Sequence, residues 1–192
     1  MVNQVQRDLN GLGQATTEWQ AVSGTVALDT TPKVGYGYDV GKGGRLTAMT
    51  YPNGRTISYA YAGGLDDKLS RVTSLSGGGT TLESLTYLGA GAVVKRAHPQ
   101  GGVDLSYIKL PAESNGDAGD QYTGLDRFGR VVDQRWIRPA DSSHVVRLQH
   151  AYDRNGSKLY ADNLVFPDQS ELYHANGAAP NSAYDSYNRL IA

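Results

Sequence analysis

Residues Tyr36–Tyr61 read YGYDVGKGGRLTAMTYPNGRTISYAY. Two glycine-bearing turns, at 41–44 and 52–54, separate runs in which residue types alternate. In RTISYAY, Ile57, Tyr59 and Tyr61 share one face, and Thr56, Ser58 and Ala60 share the other. In RLTAMTY, Leu46, Ala48 and Thr50 oppose Arg45, Thr47, Met49 and Tyr51. A period of two is the strand period. Asn53-Gly54 is a pair that tolerates positive φ and closes tight hairpins, and Pro52 presets a turn corner. The stretch therefore reads as strand, turn, strand, turn, strand.

The unit recurs. Tyr38-Asp39 leads to Arg45-Leu46, Tyr152-Asp153 to Lys158-Leu159, and Tyr184-Asp185 to Arg189-Leu190. Leu125-Asp126, followed by Gly129 and Arg130-Val131, is the same unit with Leu for Tyr. Leu65-Asp66 with Arg71-Val72 is another, Leu9-Asn10 with Gln14-Ala15 is a weaker copy, and Tyr87-Leu88 is degenerate. The markers stand at 10, 39, 66, 88, 126, 153 and 185. A repeat period of 20–50 residues signals stacked supersecondary units. Between markers lies a second half-motif, Pro-x-Gly followed by an alternating strand, at Tyr51–Tyr59 and His98–Tyr107. Residues 109–121, KLPAESNGDAGDQ, fall outside the pattern as an insertion loop. The expectation is one array of about seven units over 1–192, cut from a longer chain.

Composition agrees. The 192 residues hold 24 Gly and 13 Tyr but only 2 Phe, which suits turns and strands with half-wet faces. No segment longer than two turns carries helical periodicity. The fold class expected is all-β: tandem antiparallel hairpins in a curved, twisted repeat sheet with little or no helix. A net charge of −1 argues against nucleic acid as a partner. No apolar run is long enough to span a membrane. With no cysteine, disulfides and thiolate metal sites are excluded.

Candidate chemistry is sparse. His98, His144, His150 and His174 lack zinc-site spacing, and no Gly-x-Ser-x-Gly occurs. Asn115, Asp117 and Asp120 are a weak calcium candidate without the distal bidentate Glu of an EF-hand. Asp66 and Asp67, read as neighbours in a strand, would point opposite ways and cannot form a glycosidase pair. No cofactor and no catalytic residue is expected. Trp19, Tyr59, Tyr61 and Trp136 are candidates for an aromatic binding face, against the plainer reading of cross-strand packing.

These units resemble the YD, or Rhs, repeats: Tyr-Asp-x-x-Gly-Arg-Leu, a variable stretch, then a Pro-x-Gly hairpin leading to Tyr-x-Tyr-Asp. The stretch 38–61 fits closely apart from two extra residues between Asp39 and Arg45. The resemblance covers almost the whole chain and names Tyr38, Asp39, Arg45, Pro52, Gly54, Asp126, Gly129, Arg130, Tyr152, Asp153, Tyr184, Asp185 and Arg189 as structural signature residues. In that family, repeats build a strip of hairpins that spirals into a hollow shell. Bacterial Rhs and toxin-complex proteins enclose a toxic polypeptide, and teneurins display a related shell at cell surfaces. The resemblance implies a non-enzymatic scaffold from a secreted or cell-surface parent. Its partners would be neighbouring repeats and an enclosed toxin polypeptide or surface glycans, with self-association through open sheet edges. The family's autoproteolytic Asp-Pro element is absent here. The alternatives are a stand-alone carbohydrate- or protein-binding β module using the Tyr/Trp face and, more weakly, an enzyme with its site in 109–121.

Overall fold

In a computed structural model of the chain, residues 3–110, 113, 122–171, 187 and 189 are described. They form an all-β, antiparallel structure. The chain divides into two compact units, Met1–Leu85 and Thr86–Ala192.

The first unit contains β1 (Gln4–Leu9), β2 (Ala15–Ala21), β3 (Lys33–Asp39), β4 (Arg45–Thr50), β5 (Thr56–Ala60) and β6 (Ser74–Gly77). Strand β7 (Thr80–Leu88) runs through the boundary. The second unit contains β8 (Ala92–His98), β9 (Val103–Ser106), β10 (Asp133–Ile137), β11 (His144–Tyr152) and β12 (Lys158–Asn163). Within each unit, strand order across the sheet equals strand order along the chain. Most strands pair with the next by a short reversal, while residues 22–32, 61–73 and 107–132 are longer connections whose closure entropy still grows only slowly with length. The expected class, tandem antiparallel hairpins, is the observed one.

The one α-helix among the described residues, α1 (Leu65–Lys68), is a single turn. It holds Asp66 and Asp67, which corrects the strand reading of that pair. Four residues are too few to show a 3.6 period against the background. No helix is long and apolar enough to cross a membrane, among the described residues.

One register feature recurs. The ladder slips between Asp8 and Leu9 in β1, between Gly37 and Tyr38 in β3, and between Ala151 and Tyr152 in β11. Each slip falls just before a signature turn. A bulge of this kind adds one unpaired residue, sharpens the local twist and re-aims the next side chain.

Burial is thin. In the first unit Trp19, Ala21 and Ile57 are the buried apolar side chains; in the second they are Val94, Ile137 and Ala161. The second unit also buries Asp104, Ser106, Asp133, Arg135, His150 and Asn163. Polar groups at such depth need partners, because desolvation without them is costly. Stability must then come largely from ladders and specific polar ties.

Candidate functional site at the joints between hairpins

Three turns share one atomic plan. In each, the first residue is Asn10, Asp126 or Asp153, and its Oδ1 accepts two backbone N–H bonds. Leu12 N and Gln14 N donate to Asn10 at 2.9 and 3.0 Å. Phe128 N and Arg130 N donate to Asp126, both at 2.9 Å. Asn155 N and Ser157 N donate to Asp153, both at 2.8 Å. The backbone closes beneath, with Gly129 N donating to Asp126 O at 2.9 Å and Asp126 N to Arg130 O at 2.9 Å. The fourth residue is Gly13, Gly129 or Gly156, at φ of 78°, 76° and 89°. Positive φ at one fixed position explains the glycine. In the first of these turns Asn10 plays the part that Asp plays elsewhere, and the left-handed residue is Gly13.

Within each unit, successive signature turns are tied together. The Tyr38 hydroxyl donates to Ala15 O at 2.9 Å, Tyr61 to Leu46 O at 2.7 Å, and Tyr152 to Val131 O at 3.0 Å. The acceptors are the residues that follow Gln14, Arg45 and Arg130. Those three side chains reach forward in turn. Gln14 Nε2 donates to Gly44 O at 2.7 Å, Arg45 Nη1 to Asp67 O at 3.2 Å, and Arg130 Nη1 to Asp153 O at 3.4 Å. The guanidinium carbon of Arg45 lies 4.2 Å from the Tyr61 ring centroid, and that of Arg130 lies 4.6 Å from Tyr152. Burial pushes the Tyr152 phenol up, only partly offset by Arg130, so it stays a donor. One joint thus combines a phenol donor, a cation–π contact and a backbone bond.

The copy with two extra residues is wired differently. Val40–Lys42 form a 3-10 turn, and the Asp39 side chain caps nothing. Arg45 Nη2 stays 3.8 Å from Asp39, while Arg45 Nη1 is 2.8 Å from Asp67 Oδ1. Lys42 Nζ is 2.7 Å from Asp67 Oδ2. Hydrogen bonds from Lys42 and then Arg45 hold Asp67 below the usual carboxylate range. Asp66 instead accepts from Arg71 Nε at 2.8 Å.

The other half-motif caps a hairpin. Gly54 sits at φ 81°, its N–H donates to Tyr51 O at 2.9 Å, and Arg55 N donates to Asn53 Oδ1 at 3.0 Å. Pro52, with no N–H to lose, occupies the corner between them. Arg189 lies over the Tyr187 ring at 5.4 Å. Tyr184 and Asp185 lie outside the described residues, as do Asn115, Asp117 and Asp120.

The aromatic candidates sit among close neighbours. Trp19 is 5% exposed, donates from Nε1 to Leu28 O at 3.2 Å and has Lys33 Nζ 5.8 Å from its ring centroid. The Tyr61 ring is covered by Arg45. Tyr59 is half-buried, and Trp136 is half-buried and stacked on His98 at 6.1 Å.

Sequence reasoning missed a buried charge cluster in the second unit. Arg135 and Arg147 are direct cross-strand partners, a repulsive arrangement when unrelieved. Asp133 accepts from Arg135 Nη2 at 3.0 Å and from Arg147 Nη2 at 2.6 Å. Glu113 binds Arg135 Nη1 and stands 3.6 Å from Arg147. Burial would raise Asp133, but the bonds from Arg147 and Arg135 outweigh it and hold it low. Glu113, from the insertion, is therefore latched to the sheet. The available signal was the alternation Val131, Asp133, Arg135, Ile137, which puts two charges on an apolar face.

Neither a family model nor a curated protein matches the sequence. Solved structures do match the fold. The Photorhabdus luminescens Tc holotoxin pore gives a TM-score of 0.59 at 18% identity over 83% of this chain and 7% of that one. The TcdB2–TccC3 complex gives 0.59 at 17%, and the same complex without its hypervariable C-terminal region 0.58 at 17%; each covers 83% of this chain and 8% of the other. The chain shares the fold of these Tc toxin chains. It spans 7–8% of their length.

Proposed function

We propose that residues 1–192 are a stretch of wall in an Rhs/YD-repeat shell that encloses or displays a polypeptide. The segment is one repeat array with an insertion at 109–121, has no catalytic residues of its own, and belongs to a secreted or cell-surface parent. The observation that carries the reading is the joint. A hydroxyl donated backwards and a Gln or Arg donated forwards recur at Tyr38/Gln14, Tyr61/Arg45 and Tyr152/Arg130. Such a tie serves a ribbon extended by adding identical steps, because each step is held by its neighbours and stability accumulates along the array. The chemistry of the joint is also spent internally. Its phenols, guanidiniums and carboxylates bind one another and the backbone. The shared fold with toxin-complex shells supports the same reading.

The test is the complete reading frame around these residues. Flanking YD repeats and a variable C-terminal region are expected. A frame that holds only this segment, or an unrelated enzyme domain joined to it, would refute the proposal.

A further inference from the structure

Two turns of the chain carry the pair Asn-Gly on the same backbone. In Tyr51–Arg55, Gly54 N donates to Tyr51 O at 2.9 Å and Tyr51 N to Arg55 O at 2.8 Å. In Asp153–Ser157, Gly156 N donates to Asp153 O at 3.2 Å and Asp153 N to Ser157 O at 3.0 Å. Gly54 and Gly156 stand at φ 81° and 89°, and open space surrounds each. Both Asn-Gly pairs are exposed. The turns differ in the side chain that accepts the N–H after the glycine. Asn53 Oδ1 takes it from Arg55 N at 3.0 Å. In the second turn Asp153 Oδ1 takes it from Ser157 N at 2.8 Å, which leaves Asn155 without that part. Among the described residues the Asn155 carboxamide makes no hydrogen bond; only its backbone N–H is held, by Asp153.

A free carboxamide beside glycine has a reaction open to it. The Gly156 nitrogen gives its proton to solvent and attacks Asn155 Cγ. The bond from Cγ to the amide nitrogen breaks, and ammonia leaves after taking a proton from water. The five-membered imide so formed is opened by a water molecule. Attack at Cγ gives aspartate. Attack at the main-chain carbonyl gives isoaspartate, in which the backbone runs through the side chain. One water is consumed and one ammonia released, with no change of oxidation state.

We propose that Asn155 is a self-modification site, converted by water to isoaspartate and aspartate, while the turns at Asn53 and Asn10 protect those residues. Asn53 must first break its bond to Arg55 N. Asn10 accepts from Leu12 N and Gln14 N and donates from Nδ2 to Gln14 Oε1 at 2.9 Å. The repeat itself sets the difference. Where Asp153 opens the turn it fills the acceptor role, and an Asn two places later has nothing to hold it. The site also lies on a joint, since Asp153 O accepts from Arg130 Nη1 at 3.4 Å. An isoaspartate puts one more carbon into the main chain between residues 155 and 156. Gly156 N and Ser157 N then lose their register on Asp153, and the joint loosens as the protein ages. The inference concerns the chain by itself and does not rest on the shell reading.

The test is to age the folded 192-residue chain in neutral buffer and map its peptides by mass spectrometry. Asn155 should convert about tenfold faster than Asn53, the factor set by one hydrogen bond that must open first. Asn10 should be slow as well. In chain unfolded by urea the three sites should react at similar rates, since each is Asn-Gly. The isoaspartyl fraction, separated by chromatography, should unfold at lower urea than Asn155→Asp, which carries the new charge without the extra carbon. No conversion at Asn155 in the folded chain, a rate at Asn53 equal or greater, or the same ratio folded and unfolded would overturn the inference. So would aspartate at 155 with no isoaspartate, which excludes the imide. An isoaspartyl fraction as stable as Asn155→Asp would overturn the loosening of the joint.

Discussion

Arg130 lies 4.6 Å from the centroid of the Tyr152 ring while it also grips Asp126, its own turn's first residue, through Nε at 2.7 Å. One side chain thereby belongs to two turns, since its Nη1 also reaches Asp153 O, 23 residues further along the chain. Mutations can separate the part of this joint that builds a turn from the part that binds turns together.

Asp126→Ala removes an acceptor for two backbone N–H groups and a partner of Arg130. A loss of about 1–2 kcal/mol is expected in urea unfolding. Asp126→Asn should recover most of it, as Asn10 fills the same place in its own turn. Asp39→Ala should change the midpoint little, because that carboxylate caps nothing. A larger effect at Asp39 than at Asp126 would refute the assignment.

Tyr61→Phe keeps the ring under Arg45 and removes the bond to Leu46 O. It should cost about 1 kcal/mol. A double-mutant cycle of Arg45→Ala with Tyr61→Leu should show coupling of about 0.5–1 kcal/mol. Additive losses would mean that the stacked pair contributes nothing.

Backbone geometry makes a third prediction. Gly129, at φ 76° with open space around it, should tolerate Ala at about 1 kcal/mol. Gly124 should not tolerate it at all. A Cβ there would lie 2.4 Å from Asp133 O and 2.7 Å from the Tyr107 Cα, both backbone atoms. Soluble, folded Gly124→Ala would contradict the packing at that point.

Burial holds His144 and His150 below the usual histidine range, so the unfolded chain binds their protons more readily. Their contribution is complete above about pH 6.5 and is lost as pH falls from there through the folded values. Asp133 and Glu113 are held low, so theirs persists until pH falls below about 4. Unfolding midpoints should therefore decline in two steps. Replacing both histidines with Gln should flatten the upper one. Asp133→Ala, which takes from the buried Arg135 and from Arg147 the carboxylate they share and leaves Arg135 only Glu113 and Thr123, should cost about 2–3 kcal/mol at neutral pH.

What the sequence disclosed is what the chain determines locally. Period two, with Asx and Gly at fixed offsets, marks strands and turns because φ and short-range hydrogen bonds create them. Where the turns are short, pairing of neighbouring strands followed from them; across 61–73 and 107–132 the sequence did not dictate it. The joint is less legible, since the Tyr61 hydroxyl finds a carbonyl 15 residues away and no local rule names it. The extra residues after Asp39 were visible, but not their consequence, that Arg45 turns to Asp67. Least legible was the cluster around Arg135. Alternation placed Asp133 and Arg135 on one face, but which face is buried depends on what packs there, and Glu113 comes from outside the repeat.

Electron cryomicroscopy of the protein made from the complete reading frame tests the central proposal most directly. The account predicts a hollow β shell in which residues 1–192 are consecutive hairpins of the wall, with Tyr61 bound to Leu46 O and Tyr152 to Val131 O as here. Residues 1–192 standing apart as an isolated module, with no further hairpins continuing the ribbon, would contradict it.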